Sequence, residues 1–369
     1  MSEPVRVLQM IASLYNGGSQ AMIMNLYQHI DQNRVQFDFI VDHPEYDAYM
    51  PLVQELGGRI YAMPLFNGGN IKEVRSTWNN LFQDHPEYSI LHSHARSYAS
   101  IYLPIARRNG LKTIIHSHNT SNGKGISSLA KSVMQYPLRY QSDYYFGCSK
   151  EAGRWLFGDR IVASDRFFVL NNAIDAKKFR YDSTVRKEYR KMFQIKDENV
   201  YLQVGSLSDQ KNHLFSLEVF KKLCQNCPQS RLYIAGVGEK EQIIKERIDA
   251  YHLNNNVFLL GRRNDVNKLL QMADCYIMPS IYEGLSVAAV EAQASGITCI
   301  LSDVVSEEVK ITDVCEFLPL DTDIWVKRLN SEFVRKDTFN QIKEAGYDIS
   351  DTSIWLMEFY ERISKDVVR

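Results

Sequence analysis

CYIMPSIYEGLSVAAVEAQASGITCILSD, residues 275–303, holds a strand, a turn, a helix and a second strand in one short span. The runs CYIMPS (275–280) and TCILSD (298–303) are short and continuously apolar, the pattern of strands buried on both faces. SVAAVEAQA between them is made of small helix-forming residues and follows the turn Glu283-Gly284-Leu285-Ser286. Strand, helix and strand at this spacing predict a parallel crossover unit.

The same alternation extends in both directions. Upstream stand VYLQVGS (200–206), SRLYIAGVG (230–238) and NVFLLGR (256–262), and downstream a short CEFLPL (315–320). A separate series precedes them: VRVLQMI (5–11), FDFIV (37–41), RIYAM (59–63), SILHSH (89–94), KTIIHSH (112–118), DYYFGCS (143–149) and FFVLNNAI (167–174). Amphipathic stretches such as SQAMIMNLYQHI (19–30) lie between most of them. The two series are separated by the charged segment KKFRYDSTVRKEYRKMF, which has no strand signal and puts a boundary near 175–195. The fold class is therefore α/β, with two Rossmann-like domains over 1–178 and 179–350 in a chain of 369 residues.

Composition excludes several functions. At 45% hydrophobic and 24% charged the chain is neither disordered nor fibrous. A formal net charge of -1 provides no global field for nucleic acid, which is not expected as a partner. No apolar run approaches the roughly 18 residues of a spanning helix. The opening MSEPVRVLQMIASL lacks a charged, apolar and cleavable leader, so a cytoplasmic location is expected. Of six cysteines only Cys224 and Cys227 form a CxxC, with no second pair to complete a zinc site. Reduced thiols, no cofactor and no metal are the expectation.

In open α/β sheets ligands bind beyond the carboxyl ends of strands, and the notable residues sit there. Gly17 and Gly18 follow the first strand, where they either let backbone approach an anion at a helix N-terminus or simply make a turn. The absence of GxGxxG disfavours a dinucleotide. His92 and His94 end one strand, His116 and His118 another, and within each pair the side chains share a face. Neighbouring strands would bring these imidazoles together, as a metal site, as hydrogen-bonded strand ends or as contacts to a substrate. His118, followed by Asn119, is the residue chosen for substrate work, with His94 beside it. In the second domain Gly205 and Ser206 end a strand, Lys211 opens the next helix, and Gly236 and Gly238 follow another strand. A lysine so placed can neutralise a phosphate. Glu283 and Glu291 frame the helix of the opening span. Its first-turn N–H groups can hold phosphate oxygens and Glu291 can accept from ribose hydroxyls, whereas a carboxylate at a helix start can also be only a cap.

Between Glu87 and Asp143 there is no acid, where the chain's average would supply about six or seven. ISSLAKSVMQYPLRY (126–140) within this gap is either a core-packed helix with a solvated basic face or a surface for an anionic bilayer, and residues 88–142 are the candidate membrane-facing stretch.

These pieces resemble a retaining glycosyltransferase of the GT-B fold, in the GT4 family of bacterial exopolysaccharide, capsule and lipid-linked sugar transferases. The matching segments are YNGGSQ, ILHSHARSY, TIIHSHNT, FGCSK, VLNNAID, VGSLSDQKN, LYIAGVGE, FLLGRRNDV and, most specific, the E-x7-E stretch YEGLSVAAVEAQASGI. The resemblance implies an interdomain cleft that takes a nucleotide sugar as co-substrate, a UDP-sugar above all, and a glycan or polyprenyl-linked acceptor. It implies that SIWLMEFYERI (353–363) lies in a C-terminal helix, 351–369, crossing back to the first domain. Lys211 would bind the diphosphate, the backbone at Gly284, Leu285 and Ser286 its distal phosphate, and Glu291 the ribose. Glu283 would lie near the transferred sugar, and Gly17, Gly18, His94, His118 and Asn119 on the acceptor side. The family usually has Arg where this chain has Ser206, so Arg262 or Arg263 would assist Lys211. The implied chemistry is metal-independent, front-face transfer with retention. Two other readings share the architecture: a nucleotide-sugar 2-epimerase, and a non-catalytic subunit of a transferase complex.

Overall fold

The computed structural model describes residues 3–15, 18–45, 48–119 and 126–366, the side chains of 126–130 excepted. Gly17, part of the 88–142 stretch (120–125) and the last residues of 351–369 lie outside them. Two compact units form, one of 1–173 with 349–369 and one of 174–348.

In the first unit seven strands run β1 (Val5–Met10), β2 (Val35–Val41), β3 (Ile60–Ala62), β4 (Ile90–Ser93), β5 (Lys112–Ser117), β6 (Tyr144–Gly147) and β7 (Phe167–Val169). They form one parallel sheet in the order β3-β2-β1-β4-β5-β6-β7. The order reverses direction between β1 and β4, which opens a crevice at their carboxyl ends. All seven residues of β2 are buried, including Asp38. That carboxylate is held by Arg6 at 2.6 and 2.7 Å, by Tyr88 Oη at 2.7 Å and by the Arg59 amide at 2.7 Å, so the buried charge is fully paired. The closing helix Ile349–Lys365 belongs to this unit and buries Leu356, Phe359, Tyr360 and Ile363. Phe359 lies 5.1–5.2 Å from the rings of Tyr144, Phe146 and Phe168.

The second unit repeats the scheme with β8 (Val200–Val204), β9 (Arg231–Ala235), β10 (Val257–Gly261), β11 (Cys275–Met278), β12 (Thr298–Ser302) and β13 (Cys315–Leu318). Their parallel order is β10-β9-β8-β11-β12-β13, with the reversal between β8 and β11. The span that opened the sequence reading is β11, the helix Val287–Ala294 and β12.

The charged segment is helical and packs on this unit. Arg186, on the helix Ser183–Met192, donates to the carbonyls of Gln271, Met272 and Ala273 at 2.9–3.0 Å and to Asp274 at 2.6 Å. The guanidinium thus closes the carboxyl end of the helix Val266–Met272, where free carbonyls favour a cation. Because Ile174 already pairs with Tyr347 and Asp348, the first unit ends at Ala173 rather than at 178.

Candidate functional site

In the second unit the loops after β8 and β11 meet at the reversal point. Gly205 has φ +153°, and a Cβ there would come within 2.9 Å of Lys211 Cε, so its bare backbone lets the lysine stem pass. Lys211 ends the short turn Asp209–Lys211, whose carbonyl accepts from Gln203 Nε2 at 2.9 Å. Its ammonium forms an ion pair with Glu283, and both side chains are largely buried. Gln210 ties the same loops: its Nε2 donates to Tyr282 O at 3.1 Å and Glu283 Oε1 at 3.3 Å, and its carbonyl accepts from Ile281 N at 2.9 Å.

Glu283 is followed by exposed Gly284, half-buried Leu285 and buried Ser286. Ser286 precedes the helix Val287–Ala294 without a side-chain cap bond, which leaves first-turn N–H groups open to an anion. Glu291 sits further along this helix, half-buried. Burial pushes its pKa up to about 7, opposed by the positive charge of Lys178.

Gly236 and Gly238 have a visible packing role. A Cβ on Gly236 would stand 1.8 Å from the Gly205 carbonyl oxygen, and one on Gly238 2.4 Å from that of Leu207. They let the loop after β9 lie directly on the loop carrying Ser206. Ser206 is exposed, its Oγ 3.2 Å from Ser208 Oγ. Arg263 is held by Asp265 at 2.6 and 2.8 Å, so the assistance expected of it is spent within its own turn. Arg262 is exposed and makes none of the ion pairs found among the described residues.

In the first unit β4 and β5 are neighbours, and the four histidines do converge. His92 stacks on His94 with centroids 4.3 Å apart, and His116 on His118 at 4.0 Å. Nitrogens of His92, His94 and His116 fall within 4.8 Å of one another, a donor set that suits zinc in number. Their directions do not suit it. A ligating imidazole aims its lone pair within its ring plane, and rings stacked at 4.3 Å with 23° between planes do not aim at one ion. His94 has in addition committed both nitrogens, Nδ1 to His118 Nε2 at 2.8 Å and Nε2 to Gln9 Oε1 at 2.9 Å.

Burial, aided by mutual repulsion, holds the His92, His94 and His116 pKa values well below the usual imidazole range. His118 is lowered to about 3, by burial first and then by Arg96. At neutral pH it is therefore an uncharged hydrogen-bonding group, not a general acid. Asn119 is exposed, and its amide, in the orientation its neighbours demand, donates to His118 O at 2.8 Å and accepts from Arg96 Nη2 at 3.2 Å. Gly18 begins the helix Gly18–His29, and a Cβ there would meet nothing within 4 Å.

Beside the strand ends lies a cavity of about 370 Å³ lined by Asp42, Phe66, Tyr98, Lys131 and Met134 among others. Asp42 is 7% exposed and faces the Tyr98 hydroxyl. Burial raises the Asp42 pKa, partly offset by Tyr98 and His43. Gln9, Arg96, Asp42 and Gln210 were not among the expected site residues. Gln9 sits inside an ordinary strand run and Gln210 beside a more conspicuous lysine. Arg96, two residues after His94 within ILHSHARSY, carried the one usable signal.

In the basic stretch, Leu138 is core, whereas Val133, Tyr136 and Tyr140 are exposed together with Lys131. Arg139 covers the Tyr136 ring and donates to Leu156 O at 3.2 Å. Among the described residues no helix is long and apolar enough to cross a membrane.

Residues 16–178 match the family described as Glycosyltransferase Family 4, and 185–313 the family Glycosyl transferases group 1. The putative glycosyltransferase EpsF of Bacillus subtilis is 32% identical over 314 residues, 84% of this chain and 82% of that protein. The Escherichia coli UDP-Gal:alpha-D-GlcNAc-diphosphoundecaprenol alpha-1,3-galactosyltransferase is 26% identical over 59% of this chain and 58% of its own. Among solved structures, HepE of Anabaena in complex with UDP superposes with a TM-score of 0.72 at 14% identity, covering 98% of each chain. That likeness, with the two parallel sheets, makes the architecture GT-B.

Proposed function

The chain belongs to the family 4 glycosyltransferases, and from that premise we propose that it transfers a hexose or N-acetylhexosamine from a UDP-sugar to a lipid-linked or glycan acceptor in surface polysaccharide or glycolipid synthesis. The observation that carries this reading is the Lys211–Glu283 pair, which joins residues 72 apart in sequence at the reversal point of the second sheet. An anionic ligand there has a cation to take from Glu283 and a helix start, Ser286, to lie against. The UDP-bound neighbour and the E. coli relative that acts on a diphosphoundecaprenol acceptor support the nucleotide and the acceptor class.

Breaking the anomeric C–O bond leaves charge on the departing diphosphate, which must be stabilised as it develops. In the proposed mechanism Lys211 and the amides at Leu285 and Ser286 do this without a divalent metal. Glu291 accepts from the ribose, and Glu283, once released by Lys211, faces the transferred sugar. The leaving phosphate takes the acceptor's proton, and attack on the same face retains configuration. The cavity beside Asp42, walled by Phe66 and Tyr98 with Lys131 at its edge, suits a sugar hydroxyl and a phosphate of such an acceptor. Val133, Tyr136 and Tyr140 with Lys131 form the surface proposed to rest on the anionic inner leaflet. The proposed site of action is therefore the cytoplasmic face of the plasma membrane.

Incubation with UDP-, GDP- and ADP-sugars, with and without a polyprenyl-diphosphate sugar acceptor, tests the proposal. Acceptor-dependent release of UDP, an α-linked product by NMR and insensitivity to EDTA are expected. Epimerised donor without transfer would make the chain a 2-epimerase, and no donor binding at all would make it a non-catalytic subunit.

A further inference from the structure

Gln9 is the penultimate residue of β1, 1% exposed, between the core residues Leu8 and Met10. The sheet order sets β1 against β4 with Gln9 opposite His92, so its side chain meets the imidazole stack. Its amide nitrogen donates to Tyr360 Oη at 3.3 Å, and its oxygen faces His94 Nε2 at 2.9 Å. Tyr360 comes from the closing helix, and its hydroxyl lies 2.6 Å from His92 Nδ1.

A neutral imidazole has one donor and one acceptor nitrogen, so each partner fixes the next. The Gln9 oxygen accepts only, which makes His94 Nε2 the protonated nitrogen and leaves His94 Nδ1 an acceptor. The contact at 2.8 Å then requires His118 to donate from Nε2. His118 Nδ1 is left as a bare lone pair, with no protein partner among the described residues. At the other end the Tyr360 oxygen, taken up by the Gln9 amide, donates its own proton to His92. Every contact along the row His118, His94, Gln9, Tyr360, His92 joins complementary atoms, and His92 is left with a buried Nε2–H that has no partner among the described residues. With the Gln9 amide reversed, the whole row inverts and His118 offers an N–H instead.

We propose that Gln9 is a positioning residue, which acts through His94 to hold His118 in the Nδ1-acceptor tautomer, so that His118 takes a hydrogen bond from a substrate hydroxyl. The proposal rests on the acceptor-side role given to His118 above. An acceptor nitrogen selects a hydroxyl donor and turns away carbonyl and phosphate oxygens. Tyr360 ties the amide to His92, so the amide reverses only if the tyrosine hydroxyl and the His92 tautomer reverse with it, which gives the closing helix a part in the site's chemistry.

Long-range 1H–15N correlation spectra of the full chain labelled with 15N-histidine read this tautomer directly, the His118 signal being assigned by its loss in His118→Gln. The expected wild-type signature is protonated Nε2 and bare Nδ1. Gln9→Leu is expected to shift it towards the Nδ1–H form, and to lower kcat about tenfold with the KM for the UDP-sugar changed less than about twofold. Tyr360→Phe, which keeps the ring and frees the amide, shifts both in the same direction by less and serves if Gln9→Leu does not fold. A wild-type His118 protonated on Nδ1, a tautomer unmoved by either variant, or a moved tautomer with unchanged kcat overturns the proposal. Because the spectrum needs no turnover, a chain that shows the expected tautomer shift but transfers no sugar keeps the relay and refutes only the functional reading.

Discussion

The two units place different chemistry on the same scaffold. Both sheets reverse direction once, between β1 and β4 in one and between β8 and β11 in the other. At the first reversal point stand neutral imidazoles, a carboxamide and a tyrosine, joined in a row of hydrogen bonds that carries no net charge. At the second stands an ion pair, Lys211 with Glu283, next to an uncapped helix start. The difference teaches what each end is suited to under the proposed function: directed contacts to hydroxyls at the first, and a cation that can pass from a carboxylate to a phosphate at the second.

The contrast breaks most readily at Lys211. Lys211→Ala removes the cation and strands Glu283, and transfer is expected to fall about 10²–10³-fold in steady-state assays, as when a donor to developing charge is lost. A comparable loss from changing Arg262 alone would move the charge chemistry elsewhere. Gly236→Ala tests the packing behind it. A Cβ 1.8 Å from the Gly205 oxygen forces the two loops apart, so urea unfolding is expected to show a loss of about 1–3 kcal/mol, with weakened nucleotide binding.

Glu283→Gln sharpens the comparison because its two effects have opposite signs. Freed of its partner, Lys211 is expected to bind UDP about tenfold more tightly by calorimetry, while sugar transfer declines. The smallest effect concerns Glu291. Its pKa in the folded chain is raised from 4.5 to about 7, so folding favours the protonated form and stability is lost as pH rises through that interval. The ionised form is the better acceptor for ribose hydroxyls, so UDP affinity is expected to rise a few-fold from pH 6 to 8. Glu291→Gln is expected to flatten both profiles, read by thermal unfolding and by calorimetry at each pH.

The strands were legible because parallel strands covered on both faces must be almost continuously apolar, as Cys275 to Met278 are and as Phe37 to Val41 are save for the paired Asp38. The helix between β11 and β12 was legible from its small residues and the preceding Glu-Gly turn. The partners of the site residues were not. Alternation announces strands without their order, and the order is what sets Gln9 beside His92 and Lys211 beside Glu283. The stretch 126–140 read as one helix but divides at Pro137 into Ile126–Gln135 and Leu138–Gln141, so Leu138 turns inward while Tyr136 and Tyr140 stay exposed. The charged segment was legible only as a boundary, because nothing in its sequence announces the carbonyls on the second unit to which its cations donate.

Titration calorimetry of UDP against uridine monophosphate, on the wild-type chain and on Lys211→Ala, tests whether Lys211 holds the donor by its second phosphate. UDP is expected to bind wild type at least tenfold more tightly than the monophosphate, and Lys211→Ala to erase this preference. Equal affinity for both nucleotides in wild type, or a preference that survives Lys211→Ala, would contradict that role.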